Sequence, residues 1–362
     1  MKQQVEVYYG PQHPGTHPFS ILLKLDGDII IDAEPKIGYV HRAIEKLAEY
    51  RDFYQNIPIM ERACFLEDLI HEHGYMIAAE KLLGVEIPER AEYLRVITAE
   101  LSRIISLLMW FSMFGGETGL STTFMWGFTD REKLLDIMTE ITGARVAFAY
   151  FLPGGVRWDF PEGIEDKLRK YLDYQEEQLD VYKGLLMDNS IFIDRTKGVG
   201  VADPDTLIKL GASGPVLRAS GFKYDLRVDA PYGVYDHFKI DTPVLHNGDS
   251  YDRTMIRLMD IKTSIDIVRQ ALDQLPSGDV RVKVRSKKKA APGAVYSRVE
   301  SARGILGYYI ISNGTNKPYR IKIRGPSFSH MYVFPHLIRG LHLADVPMVL
   351  GTLDVCPADL DR

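Results

Sequence analysis

Polar and apolar positions alternate near both ends of the chain and recur at helical spacing between them. Residues 5–9, Val-Glu-Val-Tyr-Tyr, read as a strand. Residues 19–25 and 29–32 flank Asp26-Gly27-Asp28, which predicts a hairpin. Between them, residues 10–18 hold three prolines and two glycines in nine positions, which predicts a constrained loop. From residue 38 to about 275 the spacing is helical. Pro88 opens the clearest helix, predicted to reach Phe114 and to stop at Gly115 and Gly116. Its first half is amphipathic, but Ile104 to Phe111 is apolar almost all round, which predicts a helix inside a bundle. Residues 130–150, 163–186 and 251–275 read as further long helices, the last with Ile256, Met259, Ile261 and Ile265 marking a face. Strand patterns return at 280–284, 294–299 and 305–312, a turn at Asn313-Gly314 follows, and 319–324 alternates strictly. A short helix at 334–343 leads into the tail.

The predicted fold is α+β and mainly α: a central long-helix bundle with β-rich segments near both chain ends. We divide it as one domain over 1–362, with a β and loop part at 1–37, a helical core at 38–275, and β hairpins with a C-terminal tail at 276–362. The 362 residues suggest about two domains by length, yet no linker, repeat or low-complexity segment separates them. Hydrophobic residues make up 46% and charged residues 26%, which excludes a disordered chain, a collagen repeat and a coiled-coil rod. The net charge is −5 and the basic residues are spread among acids, so nothing favours nucleic acid. The compact basic run from Arg285 to Lys289 reads as a solvated or partner-facing loop. No apolar signal segment opens the chain, and the longest uncharged apolar stretch, Ile104 to Gly116, is shorter than the ~20 residues of a membrane span. A soluble, cytoplasmic chain is expected. The apolar segment Phe19 to Leu23 fits either an interface or a core.

Candidate chemistry is sparse. There is no glycine-rich phosphate loop and no Gly-x-Ser-x-Gly elbow. His13 and His17 are four apart, but Pro14 and Pro18 forbid the helix that would align them. His71 and His73 point to different sides of a helix, so each reads as structural. Two cysteines cannot form a disulfide framework or a four-thiolate site. Alone, Cys64, at a helix start, and Cys356 each read as a buried small hydrophobe. Yet each has an acid three residues on, Glu67 and Asp359, so one pattern occurs twice at opposite ends of the chain.

Several blocks resemble one superfamily, in its order and over nearly the whole chain. They are Gly-Pro-Gln-His-Pro-Gly-Thr-His at 10–17, Gly-Tyr-Val-His-Arg-Ala-Ile-Glu-Lys at 38–46, residues 80–90, Arg-Gly-Pro-Ser-Phe at 324–328, and the ending from Leu353 to Arg362. The superfamily joins the large subunits of membrane-bound [NiFe] hydrogenases to the quinone-site subunit of complex I. The resemblance implies the [NiFe]-hydrogenase large-subunit fold. In hydrogenases two Cys-x-x-Cys pairs hold nickel and iron. Here Cys64 and Cys356 match the first member of each pair, and Glu67 and Asp359 replace the second. A hard carboxylate replaces a bridging thiolate poorly, so the resemblance implies no nickel–iron centre, no hydrogen chemistry, and no metal or cofactor bound by this chain. In complex I a His and a Tyr hydrogen-bond the quinone. The His matches His17, but the Tyr position is Phe65, and a lost hydrogen bond to quinone oxygen costs about 1–3 kcal/mol. Cys64 stands where complex I carries an acid.

This site pattern is most similar to ferredoxin-dependent membrane-bound sulfane reductases. The resemblance then implies a substrate chamber in a respiratory complex, where a terminal [4Fe-4S] cluster in an adjacent small subunit reduces polysulfide, coupled to ion translocation. The alternatives are a complex I-like quinone or methanophenazine oxidoreductase, and a catalytically silent coupling subunit. The implied partners are the small iron–sulfur subunit, complex I-like soluble subunits, a ferredoxin-like two-cluster subunit and membrane-embedded antiporter-like subunits. The implied place is peripheral, on the cytoplasmic side of the membrane. By the same resemblance, Arg62 lies beside the terminal cluster, His17 binds substrate or relays a proton, and Glu45 takes part in proton or conformational coupling. Ala43 replaces a usual Gly in the Glu45 block. Arg324 lines the old metal pocket and would hold an anionic polysulfide. The bland reading of Glu45 and Arg324 is a buried ion pair. Cys64 and Cys356 remain open between bystanders, transient carriers of persulfide sulfur, and partners of each other.

Overall fold

The computed structural model describes residues 4–13, 18–285 and 287–362. Strands Gln4–Tyr9, Ser20–Asp26 and Ile29–Lys36 form an antiparallel sheet in that order. The hairpin turns at Gly27, whose φ of +67° suits a residue without a Cβ. Its inward side chains, Ile21, Leu23, Leu25 and Ile30, are buried, as is Phe19. The segment 19–23 is therefore core, packed with Leu337, Ile338 and Val349 from the far end of the sequence.

The helical bundle comprises Asp68–Leu83, Glu89–Glu117, Ser121–Thr142, Ile164–Tyr182 and Ser250–Asp273. Helix 89–117 packs against helices 121–142 and 250–273. It is long and apolar enough to cross a membrane, but protein wraps it. It does not stop at Gly115 and Gly116. A Cβ on Gly115 would lie 2.6 Å from Thr123 Cβ, so glycine there lets helix 121–142 fold back closely. The stop comes at Gly119, with a φ of +85°.

Other boundaries shift for local reasons. The helix expected at 130–150 ends at Thr142, where Gly143 adopts the left-handed cap. In the irregular run after it, the amides of Ala147 and Ala149 donate to the carboxylates of Asp68 and Glu61. The helix expected at 163–186 gives way at Lys183 to a π-turn through Met187. Residues 280–284 form no ladder beyond a bridge from Gly155 to Arg281. The short helix runs over Pro326–Ile338 instead of 334–343, because Pro326 starts it. Two further helices, Val346–Leu353 and Pro357–Asp361, also begin with proline in the first turn. Strands Gly293–Glu300, Ile305–Ser312 and Arg320–Arg324 form a second antiparallel sheet.

The bundle and this second sheet share one core. The N-terminal sheet and the C-terminal helices share another. Cys64 and Cys356 form a small buried cluster with Ala358.

Candidate functional site

The cysteines meet because two unrelated turns face each other. Cys64 is extended, between a short helical turn at Glu61–Ala63 and helix 68–83. Cys356 precedes Pro357, which starts the last helix. The thiols are buried and free, with the Cys64 Sγ donating to the Cys356 Sγ at 3.2 Å. Burial raises the Cys64 thiol well above its ordinary pKa. The donated hydrogen bond lowers that of Cys356, and the Arg303 charge assists.

Arg303, in the turn before strand 305–312, organises the surroundings. Its Nη1 is 2.9 Å from the Glu67 Oε1 and 3.9 Å from the Cys64 Sγ. Its Nη2 donates to the Asp354 Oδ1 at 2.9 Å, and its Nε donates to the Asp354 carbonyl at 2.9 Å. Burial raises the Glu67 pKa, while the Arg303 charge pulls it down. The Asp359 Oδ2 accepts from the Ser327 amide at 2.9 Å, while its Oδ1 has no donor among the described residues. Gly325 makes room for that carboxylate: a Cβ there would lie 1.9 Å from Oδ1. The His71 Nδ1 meets the Tyr308 hydroxyl at 2.8 Å, and burial lowers its pKa to about 4, so the ring is neutral near pH 7.

The donor atoms of Cys64, Glu67 and His71 lie within 4.8 Å of one another. A nickel–iron pair of the hydrogenase type does not fit them. Two thiols replace four, and the Glu67 carboxylate already faces the Arg303 cation.

Beside the thiols opens a chamber of about 360 Å³, walled largely by Phe65, Leu66, Trp110, Met113, Phe114 and Val355. Trp110 stacks on Phe114 and donates through Nε1 to the Gly351 carbonyl at 2.8 Å, which fixes this wall. Among the described residues, two ionisable ones reach the lining, Asp354 and Glu117. Asp354 is held by Arg303. The Glu117 Oε2 is buried with no donor among the described residues, and burial raises its pKa to about 7. The Tyr9 hydroxyl is also buried; desolvation raises its pKa, and the Glu117 charge adds to the effect.

The sequence-predicted residues divide. Cys64, Glu67, Cys356 and Asp359 come together, and Phe65, 49% exposed, lines the chamber. His17 lies outside the described residues. Arg62 is half exposed, pairs with Glu61 and donates to the Pro58 carbonyl. Glu45 accepts from the Ile323 amide and faces Lys322, Arg320 and Arg362. Arg324 is not its partner: the guanidinium donates to the carbonyls of Ile305 and Gly211, and Arg324 does not line the chamber. Sequence reasoning missed Arg303 and Glu117. Their signals are faint: Arg303 precedes a glycine at a strand start, and Glu117 is the lone charge closing the apolar run 104–116.

The family model for the respiratory-chain NADH dehydrogenase 49 Kd subunit matches residues 117–292 and 282–362. The D subunit of the NADH-quinone oxidoreductase of Carboxydothermus hydrogenoformans is 44% identical over 360 residues, covering 99% of each chain. Its counterpart from Desulforamulus reducens is 42% identical, covering 97% of this chain and 96% of its own. A chain from the solved structure of the membrane-bound sulfane sulfur reductase, an archaeal respiratory membrane complex, superposes with a TM-score of 0.97. It shares 37% identity, and the match covers 100% of this chain and 99% of that one.

Proposed function

Because this chain belongs to the respiratory-chain NADH dehydrogenase 49 Kd subunit family, of the complex I and hydrogenase large-subunit type, we propose that its chamber receives a neutral quinone-like acceptor within a multi-subunit respiratory oxidoreductase. The observation that carries this reading is the lining: among the described residues it has apolar walls, no cation, and one carboxyl without a partner. The volume is in the range of small-molecule sites. An anionic polysulfide would have to shed water beside Asp354 and Glu117, at a desolvation cost that no facing cation among these residues offsets. Arg324, the cation expected to hold it, is spent on backbone carbonyls. The quinone alternative therefore displaces polysulfide as the first reading.

Electrons come from an iron–sulfur cluster in a small partner protein seated near Arg62, and the remaining soluble and membrane partners complete the complex at the membrane. The acceptor takes two electrons and two protons. Near neutral pH a large fraction of Glu117 is protonated, and it supplies one of those protons from the chamber wall. The aromatic wall around Trp110 orients a flat ring and excludes water. A second reading is a neutral organic sulfane. It is favoured by Phe65, which has no hydroxyl to offer a quinone oxygen, and by the thiols behind the wall.

The test is electron transfer in the purified complex to a short-chain quinone analogue and, separately, to dimethyl trisulfide. Quinone reduction is expected. Trisulfide reduction without quinone reduction would overturn the first reading and leave the second.

A further inference from the structure

Cys64 and Cys356 stand where two walls of the chamber are anchored. Phe65 and Leu66 follow Cys64; Val355, Pro357 and Ala358 flank Cys356; all of them line the chamber. The thiols face each other on the inner side of those walls, 3.2 Å apart. Among the lining residues, Ala358, Leu66 and Val40 also pack with the buried cysteines, so the same side chains border both the sulfurs and the chamber. Neither cysteine lies inside a regular helix. We propose that this pair is a redox modification site, converted by a hydroperoxide to a disulfide that draws in the chamber walls. The inference rests on the chamber being the acceptor site.

The chemistry balances with hydrogen peroxide as the two-electron oxidant. The Cys356 thiol gives its proton to water, its thiolate attacks one peroxide oxygen, the O–O bond breaks, and the leaving hydroxide takes up that proton, leaving water and a sulfenic acid. The Cys64 sulfur then displaces the sulfenic hydroxyl and forms the S–S bond, its proton leaving with that hydroxyl as water. Two thiols are oxidised by two electrons and the peroxide is reduced to two waters. The hydrogen bond from Cys64 and the nearby Arg303 favour the attacking thiolate on Cys356. A disulfide needs an S–S length of about 2.05 Å, so the two turns approach by roughly 1.2 Å. The residues that move include Phe65 and Val355, on the walls that orient the acceptor.

The intact complex is treated with hydrogen peroxide. Its peptides are then mapped by mass spectrometry without reduction, and acceptor turnover is measured before, after, and after dithiothreitol. The expected result is a Cys64–Cys356 cross-link and a loss of turnover of roughly 100-fold, since misplacement by about 1 Å can cost that much. Dithiothreitol restores it, and Cys356→Ser, compared with its own untreated rate, is insensitive. Cysteines that stay reduced or go to sulfinic acid without the cross-link overturn the proposal. So does a cross-link with unchanged turnover. If the untreated complex reduces neither acceptor, the functional reading has failed, and the peptide map still decides the thiol pair.

Discussion

Glu117→Gln tests whether burial sets the chemistry of the chamber. The Glu117 Oε2 is buried with no donor among the described residues, and its pKa rises from 4.5 to about 7 through desolvation. At about 1.4 kcal/mol per pH unit, the separation corresponds to about 3 kcal/mol, trimmed to about 2 kcal/mol because the residue is partly exposed. The sign follows from proton counts. Between pH 4.5 and about 7 the folded chain holds a proton that the unfolded chain has released, so wild-type stability falls as pH rises through that window. Below it the penalty is absent, and above it the penalty is complete. Glutamine does not titrate. The variant and wild type should therefore be about equally stable near pH 4.5, with the variant ahead by about 2 kcal/mol at pH 8. Urea unfolding of the complex across that range, following this subunit, measures the difference. Turnover provides a second readout. The wild-type rate should decline above pH 7, and the variant should lose roughly 10²-fold or more and show no such step. A stability difference that is the same at both ends of the range would refute the reasoning.

Arg303→Ala should leave the buried Glu67 carboxylate without its paired cation and Asp354 with only the more distant Arg257, 3.9 Å away, and destabilise the subunit by about 3–5 kcal/mol, read by thermal unfolding. Arg303→Lys should rescue little of this, because one ammonium cannot span both carboxylates as the guanidinium does. Phe65→Tyr should add a donor to the chamber wall worth about 1 kcal/mol, and so lower the KM for a quinone analogue by roughly fivefold. An unchanged KM would count against a quinone oxygen near that wall.

Periodicity made the helices and the second sheet legible, because residues 89–114 and 305–324 carry 3.6- and 2-residue patterns that burial enforces. Ends were read less well. Gly115 looks like a helix stop, but its missing Cβ serves packing against Thr123, a contact that no local pattern encodes. Residues 280–284 alternate without a partner strand. The doubled Cys-x-x-acid pattern pointed to a shared site, and the two cysteines do meet. The resemblance pointed to Arg324 at the old metal pocket but gave no hint of Arg303, the guanidinium that meets Cys64 and Glu67. Both arginines adjoin a glycine near a strand end, and only the three-dimensional turn decides which guanidinium reaches Glu67. Glu117 was hidden because its state depends on what encloses it.

The contact between Cys64 and Cys356 spans 292 positions of sequence. Closing so long a loop is entropically slow, and local helices form first. On a ribosome the bundle is complete long before Val355 and Pro357 emerge to finish the cavity. A chain stopped before those residues would thus have the helical bundle without the wall that closes the cavity.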